Sequence, residues 1–381
     1  MWRPRRLLTV GHSYVVALNR RLPHELARIG GTHWEITVAA PRFVQGDLRP
    51  IRLEHFVGEA ARLVPVHAHF TTRPHILIYG RELRQLCSQS WDIVHSWEEP
   101  FVLASGEIAL WCRQGKLVYY TFQNINKKYP PPFNWIERYT VQRCSGWIAA
   151  GQTVCATLQR RQGYSHKPHC VIPLGVDVAV FRPDPAAGLA VRRQLGWLAE
   201  GPPVIGYSGR FVTEKGIGLL LQVLEQLQQP WRALFVGGGP WEATLRRWAS
   251  RHGPEQVQIV TGVPHDAVPR YLNAMDLLVA PSQTTPRWRE QLGRMLIEAM
   301  ACGVPVVGSD SGEIPYVVGS AGWIVPEHNL LAWVQAIDRL LACPEQRREL
   351  GLAGRERATT LFAWPHIARL HLQFFTQLLE S

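Results

Sequence analysis

Residues 290–307 read EQLGRMLIEAMACGVPVV, and this stretch decides how the C-terminal half of the chain is organised. Glu290 lies in a loop, and we predict a helix that begins near Gly293 and carries Glu298 about one and a half turns from its start. A glycine and a proline then end the helix and lead into an apolar strand. The start of a helix offers backbone N–H groups to an anion. A pair of exposed helix glutamates is the alternative, but Glu298 is flanked by apolar residues.

Three glycine-containing segments precede this stretch, each at the end of a predicted strand. Residues 206–216 read GYSGRFVTEKG, in which Arg210 and Lys215 stand five positions apart. Two cations beside a helix start suit a diphosphate, whereas solvated loop side chains are the alternative. The glycine run around Gly238 and the turn that carries Val263 favour close approach of the backbone to a nucleotide. Plain turns between a strand and a helix are the alternative for both.

Short apolar runs alternate with longer helical patterns along the chain. Most of these runs are rich in Val, Ile and Leu without alternation, which is typical of strands buried on both faces of a parallel sheet. The alternation with helices indicates βαβ units. The predicted strands are Arg6–Val10, Trp34–Ala39, Ile93–His95, Leu117–Thr121, Gly146–Ala149, His169–Ile172, Val204–Ser208, Arg232–Val236, Val257–Thr261, Leu277–Ala280 and Val304–Gly308.

The predicted strands form two series that separate near residue 180, where a proline-containing linker covers residues 173–185. With 381 residues the chain is long enough for two domains of ordinary size. We therefore predict two Rossmann-like domains, over residues 1–175 and 176–363. In such sheets ligands bind beyond the carboxyl ends of the strands.

Composition limits the class of protein. The chain is 46% hydrophobic and 19% charged, as in a packed globular protein. Seven scattered cysteines without a CxxC pair indicate reduced thiols in a cytosolic protein, not a disulfide framework or a zinc site. No apolar run reaches the roughly 20 residues that span a bilayer. Polar residues interrupt the N-terminal apolar run, which favours a buried strand over a signal peptide.

The positive charge is concentrated in the first half. Residues 1–180 carry 22 Lys and Arg against 12 Asp and Glu, whereas residues 181–381 carry 19 against 18. A basic half attracts an anionic membrane surface or an acidic ligand, and plain solubility is the alternative. We expect no nucleic acid, because no nucleic-acid-binding motif accompanies the charge. The candidates for membrane contact are Trp2, Arg3, Arg5, Arg6, Lys127 and Lys128.

Together these four segments, in this order, resemble glycosyltransferase family 4, a family of retaining enzymes. The resemblance covers most of residues 180–381 and is carried above all by Glu-x7-Glu and the run EAMACGVPVV from Glu298. The first half matches through its opening strand and through GVDVAVF at residues 175–181. The resemblance implies an α/β GT-B fold, with two Rossmann-like domains whose parallel sheets face a central cleft. A terminal helix over residues 364–381 would cross back to the first domain.

The resemblance also implies roles for the residues of the second domain. The cations of the GYSGRFVTEKG segment would hold the diphosphate of a nucleotide-sugar donor, and Glu298 would bind its ribose. Glu290 would contact the transferred sugar or lie near its anomeric centre. Gly293 would offer backbone donors near the phosphate, and Val263 would face the base. Many members read Glu-Gly-Phe-Gly where this chain reads EQLG, so the identity of the donor sugar stays open.

A second departure concerns the fourth strand of the first domain, after which many members carry a histidine. This chain has Gln123 there, which hydrogen-bonds a sugar hydroxyl but cannot move a proton at neutral pH. His95, at another strand end, is the remaining candidate for catalysis, with a structural role as its alternative.

The acceptor is expected against the first domain, near residues 123–139. Trp135 suits the face of a sugar, and Lys127 and Lys128 suit phosphate. Glu98 follows a neighbouring strand end and is a further candidate. An ordinary loop and helix start is the alternative.

We therefore expect a retaining hexosyltransferase-type enzyme that uses no metal and no cofactor. No Asp-x-Asp motif is present, and Arg210, Lys215 and a helix start can stabilise the leaving diphosphate instead. Same-face attack and a covalent intermediate on a carboxylate both remain open. The expected acceptor is a saccharide or a lipid-linked molecule of surface polysaccharide or glycolipid synthesis, met in the cytoplasm or at the inner face of the membrane. A phosphorylase or epimerase and a non-catalytic sugar- or partner-binding protein are the alternatives.

Overall fold

The computed structural model describes residues 3–45, 50–197 and 200–381, which form two compact units. The first unit comprises the described residues up to Gly175 together with Trp364–Ser381, and the second comprises Val176–Ala363. Each unit is built on a sheet whose strand pairs are all parallel, with helices between the strands. The predicted α/β class with two Rossmann-like parallel sheets is confirmed.

The first unit begins with a strand, and its elements up to Gly175 are β1 (Arg5–Val10), α1 (Arg21–Gly30), β2 (Trp34–Pro41), β3 (Phe43–Gln45), β4 (Pro50–Arg52), β5 (Arg62–Val66), β6 (Ala68–His69), β7 (Ile78–Tyr79), α2 (Arg81–Cys87), β8 (Ile93–Ser96), α3 (Leu103–Trp111), β9 (Lys116–Thr121), α4 (Phe133–Arg143), β10 (Gly146–Ala149), α5 (Gln152–Gln159) and β11 (His169–Val171). Seven strands form the main sheet in the order β11-β10-β9-β8-β1-β2-β5. The pairs β3–β4 and β6–β7 are antiparallel hairpins.

The second unit follows with α6 (Pro185–Gln194), β12 (Val204–Arg210), α7 (Ile217–Leu224), β13 (Arg232–Gly238), α8 (Glu242–Ala249), β14 (Val257–Val260), α9 (Val268–Leu272), β15 (Leu277–Ala280), α10 (Arg294–Ala301), β16 (Val306–Ser309), α11 (Ile314–Val318), β17 (Trp323–Val325), α12 (Leu330–Ala342) and α13 (Pro344–Leu361). Its strands are ordered β14-β13-β12-β15-β16-β17. The last helix, α14 (Trp364–Glu380), belongs to the first unit and packs against α1.

Burial on both faces explains why the main strands are apolar throughout. In β1, Leu7 and Leu8 are both fully buried, yet they belong to two different hydrophobic clusters. Successive side chains of a strand point to opposite faces, so each face of the sheet carries its own core. Ile367 and Phe375 of α14 complete the cluster that contains Leu7. The terminal helix is therefore part of the core of the first unit.

All the strands predicted from sequence are present, with ends displaced by no more than two residues. The sequence patterns missed β5, β17 and the two hairpins. Strand β5 carries Pro65, which lacks an N–H donor, and it lies at the edge of its sheet where that donor is dispensable. Strand β17 is only three residues long and also lies at an edge. Neither segment has the continuous apolar pattern that marks a central strand.

Each sheet has one point at which the strand order changes direction. In the first unit this point lies between β1 and β8, and in the second it lies between β12 and β15. Loops that leave the carboxyl ends of these neighbouring strands diverge to opposite faces of the sheet. The crevice between such loops is where open α/β sheets bind ligands. Both switch points carry buried, ionisable side chains.

Candidate functional site

In the second unit, the loops that follow β12 and β15 approach each other closely. Gly216 has a φ of +72°, and a Cβ atom there would lie 1.8 Å from the carbonyl oxygen of Pro281. The N–H of Gln283 donates to the carbonyl oxygen of Glu214 at 2.8 Å. Only glycine allows both this backbone conformation and this contact. The two loops therefore form one connected surface at the switch point.

This surface contains a buried ion pair. The ammonium of Lys215 lies 2.5 Å from Oε2 of Glu290, and the two side chains are 12% and 7% exposed. Lys215 also lies over the ring of Trp288, 5.3 Å from its centroid. Burial raises the pKa of Glu290, but the charge and hydrogen bond of Lys215 outweigh burial and hold the pKa below its ordinary value. Glu290 is therefore ionised at neutral pH.

Other contacts fix the carboxylate of Glu290 in place. Ser282 donates its hydroxyl to Oε2 at 2.9 Å, and the N–H of Gly293 donates to Oε1 at 3.2 Å. The carbonyl oxygen of Glu290 accepts from the N–H of Glu313 at 3.1 Å. A Cβ atom at Gly312 would lie 2.0 Å from that carbonyl oxygen, so the chain passes too closely for a side chain. Ser282 was not singled out from the sequence, because nothing local marks a serine as the partner of a residue eight positions away.

Glu298 lies five residues into α10, as predicted, and is 6% exposed. Its Oε1 contacts Nε2 of His265 at 2.7 Å and Nε of Arg294 at 3.1 Å. Oε2 has no hydrogen-bond partner among the residues that the structure describes. His265 stands in the short turn after β14, beside the ring of Phe181. Sequence reasoning missed His265, although it directly follows the turn that contains Val263.

The remaining predicted donor residues lie at the same edge of the sheet. Arg210 ends β12, is exposed, and makes no ion pair with any described residue. Val263 is half-buried in the turn after β14. At Gly238, which was predicted to lie close to the nucleotide, an added Cβ atom would meet open space among the described residues. The close backbone contacts of this run are at Gly237, where a Cβ atom would lie 1.8 Å from the carbonyl oxygen of Gly209, and at Gly239, where it would lie 2.7 Å from that of Phe211.

In the first unit, the switch point holds a histidine and a carboxylate that are 86 residues apart in sequence. His12 follows β1, and its Nδ1 lies 2.6 Å from Oε2 of Glu98, which follows β8. Oε1 of Glu98 accepts from the N–H of His12 at 2.6 Å and from the hydroxyl of Tyr79 at 2.5 Å. Glu98 is 1% exposed, whereas the side chain of His12 is 29% exposed. Glu98 was predicted to line the acceptor side, but both its oxygens are engaged within the unit.

The ionisation of this pair follows from its contacts. Burial lowers the pKa of His12, but the charge and hydrogen bond of Glu98, with a smaller effect of Glu99, raise it above its ordinary value. Burial raises the pKa of Glu98, and the charge and hydrogen bonds of His12 and Tyr79 bring it below its ordinary value. Sequence reasoning missed His12, because a histidine after a glycine at a strand end has no distinctive local pattern.

Gln123 is 8% exposed and belongs to a neighbouring network. Its Nε2 donates to Glu99 at 3.0 Å, and its Oε1 accepts from the hydroxyl of Tyr129 at 2.9 Å. Tyr129 in turn stacks on Phe101 with 4.0 Å between ring centroids. Burial raises the pKa of Glu99 above its ordinary value. These contacts support a structural role for Gln123, which orders the loop after β9.

His95 is fully buried in the core of the first unit. Its Nδ1 contacts the hydroxyl of Thr9 at 3.2 Å, and its ring packs against His371 and Phe375. Burial, with a further effect of His371, lowers the pKa of His95 well below its ordinary value, so the ring is neutral. The structure favours the structural alternative for His95, because no atom of the side chain reaches the surface.

The basic and aromatic acceptor candidates, in contrast, are accessible. Lys127 and Lys128 are exposed in the segment after β9, and Trp135 in the first turn of α4 is 61% exposed. Lys127 is anchored through its carbonyl oxygen, which accepts from Arg161 at 2.7 Å. Within the described part of the chain, no group of three or more His, Cys, Asp or Glu side chains is arranged to hold a metal ion.

Comparisons with known proteins bear on both units. A family model described as Glycosyltransferase Family 4 matches residues 17–180, and one described as Glycosyl transferases group 1 matches residues 192–357. The structure of sucrose-phosphate synthase from Thermosynechococcus elongatus superposes with a TM-score of 0.74 and 23% identity, covering 99% of both chains. This likeness shows the fold, GT-B, that the sequence predicts.

Two curated relatives from Mycolicibacterium smegmatis match part of the chain. A GDP-mannose-dependent alpha-(1-6)-phosphatidylinositol monomannoside mannosyltransferase is 37% identical over 201 residues, which are 51% of this chain and 52% of that protein. Alpha-maltose-1-phosphate synthase is 29% identical over 259 residues, which are 64% of this chain and 65% of that protein. The matched part of the chain thus spans about half to two thirds of the length of these relatives.

Proposed function

We propose that this chain, which belongs to glycosyltransferase family 4, transfers a sugar from a nucleoside-diphosphate sugar to a saccharide or lipid-linked acceptor. The observation that carries the proposal is the buried pair of Lys215 and Glu290 at the switch point of the second unit. A buried ion pair is costly to keep and is a weak source of stability. Its position at the ligand-binding edge of the sheet supports a role in donor binding.

The leaving diphosphate requires positive charge. Lys215 is neutralised by Glu290, whereas Arg210 at the end of β12 is exposed and pairs with no carboxylate among the described residues. The first turn of α10 adds backbone N–H groups beside Gly293. Lys215 has three N–H donors and can keep Glu290 while it donates to a phosphate oxygen. We infer that these groups stabilise the charge without a metal and without a cofactor.

The contacts of Glu290 bear on how configuration would be retained. Both its oxygens already accept hydrogen bonds, from Lys215, Ser282 and the N–H of Gly293. A carboxylate held in this way is a weakened nucleophile, but it still has lone pairs that can orient a sugar hydroxyl. We therefore favour same-face attack on the donor over a covalent intermediate on Glu290.

Glu298 is proposed to bind the ribose of the donor. Its Oε1 is occupied by His265 and Arg294, which fix the side chain. Its Oε2 has no partner among the described residues and is available to accept from hydroxyl groups. We also propose that Val263 faces the base, because it lies in the turn after the neighbouring strand β14.

The relatives support the classes of donor and acceptor. The name of one relative from Mycolicibacterium smegmatis combines GDP-mannose with phosphatidylinositol monomannoside. We propose a hexose donor of this general type and an acceptor of surface polysaccharide or glycolipid synthesis. Residues Glu290–Gly293 read EQLG, so the sugar itself is left to experiment.

For an enzyme with such an acceptor, we propose a cytoplasmic location with peripheral attachment to the inner face of an anionic membrane. The structure describes no helix that is long and apolar enough to cross a bilayer. Five accessible basic and aromatic side chains of the first unit form what we call the α4 surface, namely Lys127, Lys128, Trp135, Arg138 and Tyr139. Trp135 and Tyr139 are four residues apart and share one face of the helix.

A donor screen tests the proposal. Thermal shift and release of nucleoside diphosphate would be measured with GDP-mannose, UDP-glucose and ADP-glucose, each in excess EDTA. One of the three should stabilise the protein and be turned over. Arg210→Gln should weaken its binding by about tenfold or more, the usual effect of losing a charge-assisted hydrogen bond. Arg246→Gln removes the same charge from exposed α8 and should leave binding unchanged.

Two outcomes would contradict the proposal. If no nucleotide or nucleotide sugar binds to the folded protein, the non-catalytic alternative is favoured. If turnover disappears in EDTA and returns with manganese, the metal-independent mechanism is wrong.

A further inference from the structure

The second unit contains a cavity that is separate from the candidate donor site. Its volume is about 450 Å³, within the range that is typical of small-molecule sites. Asp276 directly precedes β15 and Pro305 directly precedes β16, so the cavity lies at the amino ends of these strands. Lys215 and Glu290, in contrast, follow the carboxyl ends of β12 and β15. The cavity therefore does not belong to the surface to which we assign the donor.

One face of α13 supplies the cations of this cavity. Arg347, Arg348, Gly351 and Arg355 of this helix line the cavity. Their positions repeat at intervals of three and four residues, which places them on one helical face. A Cβ atom at Gly351 would lie 2.3 Å from the carbonyl oxygen of Gly303, so the helix passes directly against the turn that follows α10. This close approach holds the three arginines at the cavity wall.

The positive charge of the three arginines is not balanced within the cavity. None of them forms an ion pair within the described part of the chain. Asp276 also lines the cavity, but its Oδ2 already accepts from Arg192 and from the N–H of Val204, both at 2.7 Å. Burial, followed by the charge of Glu298, raises the pKa of the Cys302 thiol in the cavity wall to about 12, so that thiol is neutral.

The arginines also keep N–H groups that can bind a ligand. Arg347 donates from Nη1 to the carbonyl oxygens of Leu340 and Leu341. Arg355 donates from both Nη atoms to carbonyl oxygens of the surrounding chain. These contacts fix the two guanidinium groups without neutralising them, and each group has further N–H donors on Nε or Nη2. Arg348 is exposed and donates to no described residue.

We propose that this cavity binds a small molecule that carries a phosphate group. Phosphate suits it better than a carboxylate does, because three guanidinium groups can share the several charged oxygens of a phosphate. Pro183, Val304 and Leu352 provide apolar wall for an uncharged part of the ligand. Burial lowers the pKa of Arg355 below its ordinary value, and a bound anion would offset the cost of burying that charge. The proposal does not depend on sugar transfer.

Titration calorimetry on the full chain tests the proposal, with inorganic phosphate and glycerol phosphate as probes and acetate as the carboxylate control, all at one ionic strength. Both phosphates should bind at least tenfold more tightly than acetate. Arg348→Gln should weaken phosphate binding by about tenfold or more, because a charge-assisted hydrogen bond is lost. The matched control is Arg247→Gln, which removes an exposed arginine of α8 and should leave binding unchanged.

A second variant places negative charge in the cavity. Leu352 is 63% exposed, so its replacement leaves the core intact. It follows Arg348 by four positions, and Leu352→Glu therefore puts a carboxylate beside that guanidinium. Leu352→Glu should weaken phosphate binding as Arg348→Gln does, whereas the uncharged Leu352→Gln should not.

Phosphate also suits the proposed diphosphate site, so the titrations are repeated in the Arg210→Gln background. The cavity should still bind both phosphate probes there, and Arg348→Gln should still weaken that binding. Absence of phosphate binding in folded Arg210→Gln would overturn the proposal, as would unchanged binding in both Arg348→Gln and Leu352→Glu. The donor screen is read separately, so failure of the proposed function and failure of this site are distinguishable.

Discussion

At the scale of single residues, each unit is organised around one buried carboxylate at its switch point. Glu290 accepts from Lys215, Ser282 and the N–H of Gly293, and Glu98 accepts from His12 and Tyr79. A buried charge is tolerated only when it is paired and hydrogen-bonded. Each carboxylate therefore fixes the position of a neighbouring side chain, Lys215 in one unit and His12 in the other.

Because Glu290 is paired with Lys215, removing the charge of Lys215 should lower the stability of the protein by an amount that depends on pH. Lys215→Met leaves a buried carboxylate without a counter-charge and should lower the free energy of unfolding at pH 7 by about 3–5 kcal/mol. In the unaltered chain the lowered pKa contributes stability above the ordinary value of 4.5, and this is lost as pH falls through the folded value. In Lys215→Met, burial without the counter-charge raises the pKa of Glu290. The loss of unfolding free energy should therefore shrink as the pH falls below that pKa, because the carboxylate becomes protonated and neutral.

Urea denaturation at pH 7 and at acidic pH measures this difference. The double variant Lys215→Met/Glu290→Gln removes both charges and should recover much of the lost stability at pH 7. A deficit of Lys215→Met that is the same at both pH values would show that the charge of Glu290 is not the cause.

Glu298 provides a second residue-level prediction. Glu298→Ala should weaken nucleotide binding by about 1–3 kcal/mol, because hydrogen bonds to a charged group are lost. Calorimetric titration with the nucleoside diphosphate measures the effect. His265→Ala is the control, because it removes the neighbour of Glu298 at 2.7 Å but keeps the carboxylate. Equal losses in both variants, or none in folded Glu298→Ala, would mean that Glu298 acts only by holding its surroundings together.

At the scale of elements, glycines allow the loops at the strand ends to touch. Gly216 and Gly312 both have positive φ, and each passes within 2.0 Å of a carbonyl oxygen at the position a Cβ atom would take. The loops after β12, β15 and β16 are thus packed backbone against backbone.

Two alanine substitutions separate backbone strain from steric contact. Gly196, after α6, has a φ of +76° and no atom of the described residues within 4 Å of an added Cβ, whereas Gly216 has a φ of +72° and meets Pro281 at 1.8 Å. Gly196→Ala should cost about 1–2 kcal/mol from its left-handed conformation alone. Gly216→Ala should cost about 1–3 kcal/mol more, because the loops must separate. Equal urea midpoints for the two variants would contradict the close approach.

At the scale of the molecule, the candidate basic residues for membrane contact that the structure describes fall into two groups. The N-terminal arginines lie at the amino edge of the sheet and are engaged there, Arg3 with Asp92, Arg5 with Thr376, and Arg6 with Ser90. The α4 surface follows the carboxyl end of β9, at the opposite edge. The parallel strands thus keep the two groups at opposite edges of the sheet, and we propose attachment through the α4 surface alone. Trp2 lies outside the described residues.

If the protein attaches to a membrane through the α4 surface, vesicle binding should depend on the charges of that surface and not on the net charge of the chain. The protein should sediment with phosphatidylglycerol vesicles at low salt and be released at high salt, because salt screens such contacts. Each basic residue near the surface contributes about 1 kcal/mol. Lys127→Gln/Lys128→Gln should therefore weaken binding by roughly 30-fold.

The matched control for attachment is Arg3→Gln/Arg5→Gln, which removes the same charge from the opposite edge of the sheet. It should bind as the unaltered chain does. Equal losses in both double variants would point to net charge alone, and recovery of the unaltered chain in the supernatant would reject attachment.

Sequence patterns alone carry the resemblance to the family and predict the fold class, the main strands and the segments of the candidate donor site. These features are encoded locally, because a strand buried on both faces needs a continuous apolar run and a tight strand-end turn needs glycine. The edge strand β5 and the hairpins were not recognisable, because their residues lack that pattern.

Which side chains come into contact depends on the three-dimensional arrangement of the strands. Lys215 and Glu290 are 75 residues apart, and His12 and Glu98 are 86 apart, so no local pattern relates them. Strand order brings these pairs together, and burial then sets their ionisation. Tertiary packing also explains why His95 and His12 differ in their exposure. Both follow the pattern of a histidine at a strand end, but the packing of α14 buries the first and leaves the second accessible.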